Sequence, residues 1–360
     1  MTIENDSPQV DKYNKYVFLY PDVASPAVQQ IERGEIPKER LTGFYQLKMM
    51  GMNVAISDHR WSSGLSGLRR FARRYIQIPS VGLLRDFWKA DVIVVKDEFS
   101  PLQSFLARLM GKRIVYLDTL FKLPESRVKR KLLKIAIKWS DGVIALSSSQ
   151  ARLWSQSLTI PSGRIIPLYY AMDCDFYPYT EKLNSSKERH IISIGRDVGR
   201  DFGSLMQAVS KTDATLDLVT LPYLLPENAA ESSRINIYER LSYKELFETY
   251  SRSCVAVVPL KAGISYPSGI RAVMEAMLMG IPVVATRTPV LEEYFSEGED
   301  IVFSEPDNPD SLLVGIASLM NDNQLSDRIR KNARKKVVSQ YNVEEYGKDL
   351  ASALSDFVNR

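Results

Sequence analysis

Short apolar runs alternate with amphipathic stretches along most of this 360-residue chain. Apolar or nearly apolar runs of four fall at 17–20, 54–57, 92–95, 114–117 and 143–146, and a second series begins at 191. Alternation of buried-strand and crossover-helix patterns predicts an α/β fold with doubly wound parallel sheets, one in each half. Residues 1–11 read as disordered, and a last helical pattern spans 343–358.

The richest stretch is SYPSGIRAVMEAMLMGIPVVAT at 265–286. Ser268 suits an N-cap, and Gly269 lets backbone approach a ligand, so the N–H groups of 269–271 would face an anion at the start of a helix. Ile270, Val273, Met274 and Met277 recur at helical spacing as a buried stripe. Gly280 and Pro282 then stop the helix before an apolar strand at 283–286. Glu275 falls in the second turn, where an acceptor-only carboxylate could hold both hydroxyls of a ribose. An N-capped core helix with an exposed Glu fits the same pattern.

A second strand, glycine-punctuated loop and amphipathic helix is written in HIISIGRDVGRDFGSLMQAV at 190–209. Two arginines after a strand are commonly surface charges. Here Arg196 and Arg200 lie in one loop that precedes Glu275 by about eighty residues, and guanidinium groups bind phosphate oxygens bidentately without requiring a metal.

Together these segments resemble the signature of the retaining glycosyltransferases of family 4, within glycosyl transferases group 1. The resemblance implies the GT-B architecture: two Rossmann-like domains facing across a cleft, with a nucleoside-diphosphate sugar as donor substrate and no further cofactor. It assigns Gly195, Arg196 and Arg200 to the pyrophosphate, Glu275 to the ribose, and Pro267, Ser268, Gly269 and Ile270 to the loop against the donor. A loop in INIYERLSYKELFETY (235–250), around Leu241 and Ser242, would meet the nucleobase through backbone groups. Two departures stand out. The family places a first Glu eight residues before the helix Glu, where this chain has Pro267, and a Gly-Gly loop after the first strand, where it has Tyr20-Pro-Asp-Val. Asp118, after the strand at 114–117, matches a position where members carry an acidic or His residue at the cleft, and is the candidate catalytic carboxylate beside Arg196 and Arg200. Asp97 and Glu98 are rivals with the same placement at a strand's carboxyl end.

The same resemblance sets the expected boundaries. An acceptor-side domain spans 12–170, and a donor-binding domain spans 171–342 with its linker at about 171–189. A helix at 343–360 crosses back to the first domain. IIPLYYAMDCDFYP at 165–178 would lead out of the first domain, with Asp173 and Pro178 at the family's usual positions.

Composition narrows the rest. A hydrophobic fraction of 45% and a charged fraction of 25% suit a folded chain with two cores. Cys174 and Cys254 give no disulfide framework, two histidines give no His-based metal cluster, and no secretory or membrane-spanning run is evident. A cytoplasmic location, at the inner face of the membrane at most, is expected.

Charge is uneven. Residues 1–170 hold 26 Lys and Arg against 15 Asp and Glu, whereas 171–360 hold 21 against 28. The basic half is the acceptor half. Two stretches, 65–75 and 127–139, carry much of it, and in the second Val128, Leu132, Ile135 and Trp139 form one helical stripe among six cations. That pattern fits a helix on an anionic leaflet, and equally a crossover helix with a solvated basic face. No nucleic-acid reading motif is present.

The sequence and the resemblance together therefore predict a metal-independent, hexosyl-type glycosyltransferase. It would move a sugar from a UDP- or GDP-linked donor to a glycan or lipid-linked hydroxyl, as in polysaccharide, lipopolysaccharide or glycolipid synthesis, and the resemblance alone implies retention. Two alternatives stay open: a non-catalytic GT-B subunit that binds a nucleotide sugar or partner enzyme, and a GT-B sugar-nucleotide epimerase.

Overall fold

The computed structural model describes residues 14–59, 61–62, 78–117, 122–179, 189–227, 229 and 232–359. The expectations for 1–11, for the basic stretch 65–75, for Asp118 and for residues 180–188 of the linker lie outside these residues. The chain divides into two compact units, one of residues 1–169 with 343–360 and one of residues 170–342.

The first unit holds a six-stranded parallel sheet. Its strands are β1 (Tyr16–Leu19), β2 (Val54–Ser57), β5 (Val92–Lys96), β6 (Arg113–Leu117), β7 (Gly142–Ala145) and β8 (Ile165–Pro167), in the order β2-β1-β5-β6-β7-β8. A two-residue antiparallel pair, β3 (Trp61–Ser62) and β4 (Ile78–Pro79), stands apart. The central strands are buried on both faces, which is why they read as unbroken apolar runs. Side-chain caps start several crossover helices: Ser100 and Ser147 accept from the N–H groups of Gln103 and Gln150. The helix Val343–Val358 buries Leu350, Leu354 and Phe357 within this same unit.

The second unit repeats the plan. Its strands are β9 (His190–Ile194), β10 (Thr215–Val219), β11 (Ile235–Tyr238), β12 (Ser253–Val258), β13 (Val283–Thr286) and β14 (Val302–Ser304), all parallel. Their order, β11-β10-β9-β12-β13-β14, is that of a dinucleotide-binding Rossmann sheet. Strand order reverses between β9 and β12, and ligands of such sheets bind outside the carboxyl ends of the strands at that reversal. β11 corrects the sequence reading, which took 235–238 as part of a loop. Its four residues are only half-buried, so an edge strand shows no continuous apolar run.

One buried carboxylate ties three strands of this sheet. Asp217 is fully buried in β10 and accepts from Nε and Nη2 of Arg252 at 3.1 and 3.0 Å, from Asn236 at 3.0 Å and from the Tyr238 hydroxyl at 3.4 Å. His190 Nδ1 lies 3.1 Å from Oδ2. A buried charge is tolerable when its acceptor sites are filled in this way.

Candidate active site

Two loops meet where strand order reverses in the second sheet: residues 195–201 after β9 and 259–269 after β12. They are laced together. Arg200 and Leu260 form an antiparallel bridge, Asp201 N–H donates to Pro259 O, and Lys261 N–H donates to Gly199 O.

Asp197 is the centre of this junction. Its Oδ2 accepts from Arg200 Nε at 2.9 Å, and its Oδ1 accepts from the Ser268 hydroxyl at 2.8 Å, Gly199 N–H at 3.0 Å and the Tyr266 hydroxyl at 3.4 Å. Burial pushes the Asp197 carboxyl up, but the Arg200 charge and the hydrogen bonds from Ser268, Arg200 and Gly199 outweigh it and hold it below the usual carboxylate range. Burial and the adjacent Asp197 charge push the Tyr266 phenol up to about 12. Asp197 and Tyr266 were not singled out in the sequence. The one signal available was an acid sandwiched between two arginines in a glycine-rich loop.

Arg200 is 6% exposed, and its Nη1 is buried with no hydrogen-bond partner among the described residues. A guanidinium corner left this way is a standing electrostatic cost unless something anionic completes it. Gly195 makes the arrangement possible, because a Cβ there would collide with Arg200 Nε and Cζ.

The helix Ile270–Leu278 begins differently from the sequence expectation. Ser268 is not its cap: the helix starts one residue later, and the Ser268 hydroxyl donates to Asp197 Oδ1. Gly269 occupies the cap position at φ 84 and offers no side-chain cap. A Cβ there would sit 2.8 Å from Val258 Cγ1, so glycine is required by both backbone and space. The first amides of the helix are left without a side-chain acceptor. Pro267, buried, precedes them.

Glu275 is buried one turn further along, and its Oε1 takes Arg271 Nη2 at 2.9 Å and the Tyr177 hydroxyl at 3.3 Å. Arg271 also donates to the Tyr243 hydroxyl at 3.0 Å. Burial works against the Arg271 charge, yet Glu275 and the surrounding tyrosines hold it more firmly protonated than an ordinary arginine. Phe176, Tyr177, Tyr243 and Phe247 pack beside this pair, mostly edge to face, with centroids 4.8 to 6.0 Å apart. The partnership of Arg271 with Glu275 was legible as an i,i+4 pair but not read.

Arg196 is exposed and donates to Glu239 O at 2.8 Å, beyond the end of β11. Ser242 caps the helix Tyr243–Arg252, and its N–H and hydroxyl both bond the Glu245 carboxylate at 2.7 Å. In the first unit Asp97 ends β5 at φ 58, next to Glu98. Among the described residues no group of three His, Cys, Asp or Glu could hold a metal ion.

Residues 225–336 match the family model of glycosyl transferases group 1. A 107-residue segment is 31% identical to an uncharacterized glycosyltransferase of Methanocaldococcus jannaschii, MJ1607, over 30% of this chain and 26% of that protein. The chain therefore aligns with about a quarter of that relative's length. Among solved structures, HepE of Anabaena, in complex with UDP and glucose, superposes with a TM-score of 0.68 at 16% identity, over 95% of this chain and all of that one. A glycosyltransferase from Rickettsia africae superposes with 0.68 at 18% identity, over 96% and 99%. Sucrose-phosphate synthase from Thermosynechococcus elongatus does so with 0.68 at 16% identity, over the same shares. The fold is GT-B, and residues 225–336 carry the match to glycosyl transferases group 1.

Proposed function

We propose, from the group 1 glycosyltransferase domain and the junction around Asp197, that this protein transfers a sugar from a nucleoside-diphosphate donor to a hydroxyl acceptor. The observation that carries the reading is the orphaned Nη1 of Arg200. It belongs to a side chain joined through Asp197 to Ser268, at the uncapped start of the helix Ile270–Leu278. A diphosphate supplies the acceptors that both the guanidinium corner and the helix amides lack.

In this reading Arg200 and the amides at 268–271 hold the diphosphate, and their fixed positive charge stabilises it as it leaves. Asp197 orients Arg200 and Ser268 rather than touching substrate. Glu275, through the oxygen not used by Arg271 and Tyr177, holds the ribose. Arg196 is a second phosphate contact that must first release Glu239 O. Asp118 is kept as the acceptor-side carboxylate on the strength of the family resemblance. Retention follows from the same resemblance and fits a front-face displacement in which the leaving phosphate helps deprotonate the acceptor. The donor is UDP- or GDP-linked, and the acceptor is a glycan or lipid-linked hydroxyl.

Pro267 favours a second reading, since the carboxylate that the family sets near the transferred sugar is replaced by a buried apolar ring. A chain of that kind would bind donor without turnover. Thermal stabilisation by a panel of nucleoside diphosphates and their sugars tests the site, because a ligand of the native state alone must raise the melting temperature. Release of free nucleotide from the stabilising donor then separates an enzyme from a binding subunit. Silence across the panel would sink both readings.

A further inference from the structure

In the first unit the helix Arg127–Trp139 turns a different face to the core from the one its apolar stripe marks. It buries Leu133, Ala136 and Ile137. The stripe of Val128, Leu132, Ile135 and Trp139 lies roughly 120° around the helix from that face. Val128 is 57% exposed and Trp139 37%, with Leu132 and Ile135 half-buried between them. A crossover helix needs one buried face, and this one already has it, so the solvent-facing part of the stripe is surplus to packing on the sheet.

The neighbouring helix Pro101–Leu109 extends the same surface. Its Phe105 is 45% exposed with its ring 5.6 Å from that of Trp139, and Leu109 is 71% exposed. Neither helix contains an acidic residue. The longer one carries six cations, of which Arg127, Lys131, Lys134 and Lys138 line the flank of the stripe away from the core, and Arg108 adds a seventh from the shorter helix.

We propose that this face docks on an anionic lipid surface. The stripe enters the headgroup layer, while the lysines and arginines lay their stems along it and pair with lipid phosphates. The choice of partner rests on charge: a helix pair with seven cations and no acid is complementary to a diffuse anionic plane. This docking is independent of the donor site in the second unit.

The test is co-sedimentation of the full chain with vesicles of phosphatidylcholine alone and of phosphatidylcholine mixed with phosphatidylglycerol. Binding should be at least tenfold stronger to the mixed vesicles and should fall at high salt. The variant Lys131→Gln/Lys134→Gln/Lys138→Gln should bind them about a hundredfold more weakly at an unchanged melting temperature. Val128→Ser/Leu109→Ser should also weaken binding, since both side chains are mostly in solvent and their loss does not touch the core. Failure of the wild type to bind, equal binding to both vesicle types, or an unaffected triple variant would overturn the proposal. A concentration-dependent dimer abolished by Val128→Ser/Leu109→Ser would overturn it too, because the face would then be an interface between copies of the chain.

Discussion

Arg200 Nε lies 2.9 Å from Asp197 Oδ2, three residues earlier in the same loop, and this bond turns a surface-type arginine into a buried one. The pair uses one edge of the guanidinium and leaves Nη1 unsatisfied. An ion pair made only for stability would be expected to fill its donors.

Arg200→Ala should weaken nucleoside-diphosphate binding by roughly ten- to a hundredfold, the range of a charged hydrogen bond worth about 1.5–3 kcal/mol. Calorimetric titration of the variant with the stabilising nucleotide gives the number. An affinity equal to wild type would remove Arg200 from the site.

Gly195→Ala isolates position from charge. The added methyl keeps every ionisable group but displaces Arg200 Nε and Cζ, so affinity should drop while the far-ultraviolet circular dichroism stays unchanged. Unaltered affinity would mean that the placement of Arg200 is immaterial.

Asp197 predicts an acid-side signature. Its folded pKa lies below the unfolded value, so its contribution to stability is fully present above the unfolded pKa and fades as pH falls through the lower folded one. The melting temperatures of wild type and Asp197→Asn should differ at neutral pH and converge below about pH 4. A constant gap down to the lowest pH at which the protein stays folded would contradict this.

Gly269→Ala should cost about 1–3 kcal/mol, because alanine is strained at φ 84 and its methyl meets Val258. Urea unfolding of the second unit's transition measures it. A loss below about 0.5 kcal/mol would show that the loop relaxes freely.

Glu275→Ala should lower stability as well as affinity. It removes the partner of Arg271 and of the Tyr177 hydroxyl, at about 1–3 kcal/mol, with Arg271 keeping a third of its side chain in solvent to limit the loss. Glu275→Ala/Arg271→Met should recover stability but not nucleotide affinity. Recovery of both would mean that the carboxylate serves only the ion pair.

Much of the architecture was legible because a parallel strand buried on both faces must be an unbroken apolar run, as at 92–95 and 143–146. β11 escaped because an edge strand buries only part of each face. For the candidate site, local spacing placed Arg200 in a glycine-punctuated loop and Glu275 in a helix, because each of those patterns is short-range.

What the sequence determined alone was most of the order of strands and helices, all but the edge strand β11, together with the uneven charge, since a local pattern of neighbours or a count of residues is enough for each. Only the tertiary structure decided that Ser268 turns from its helix to Asp197, that Glu275 is shared with Arg271 and Tyr177, and that the apolar stripe of 127–139 stays outside the core. Each outcome is a competition between a local partner and one brought from far along the chain, 71 residues away for Ser268 and 98 for Glu275. The winner is set by which charge or surface the fold carries into reach.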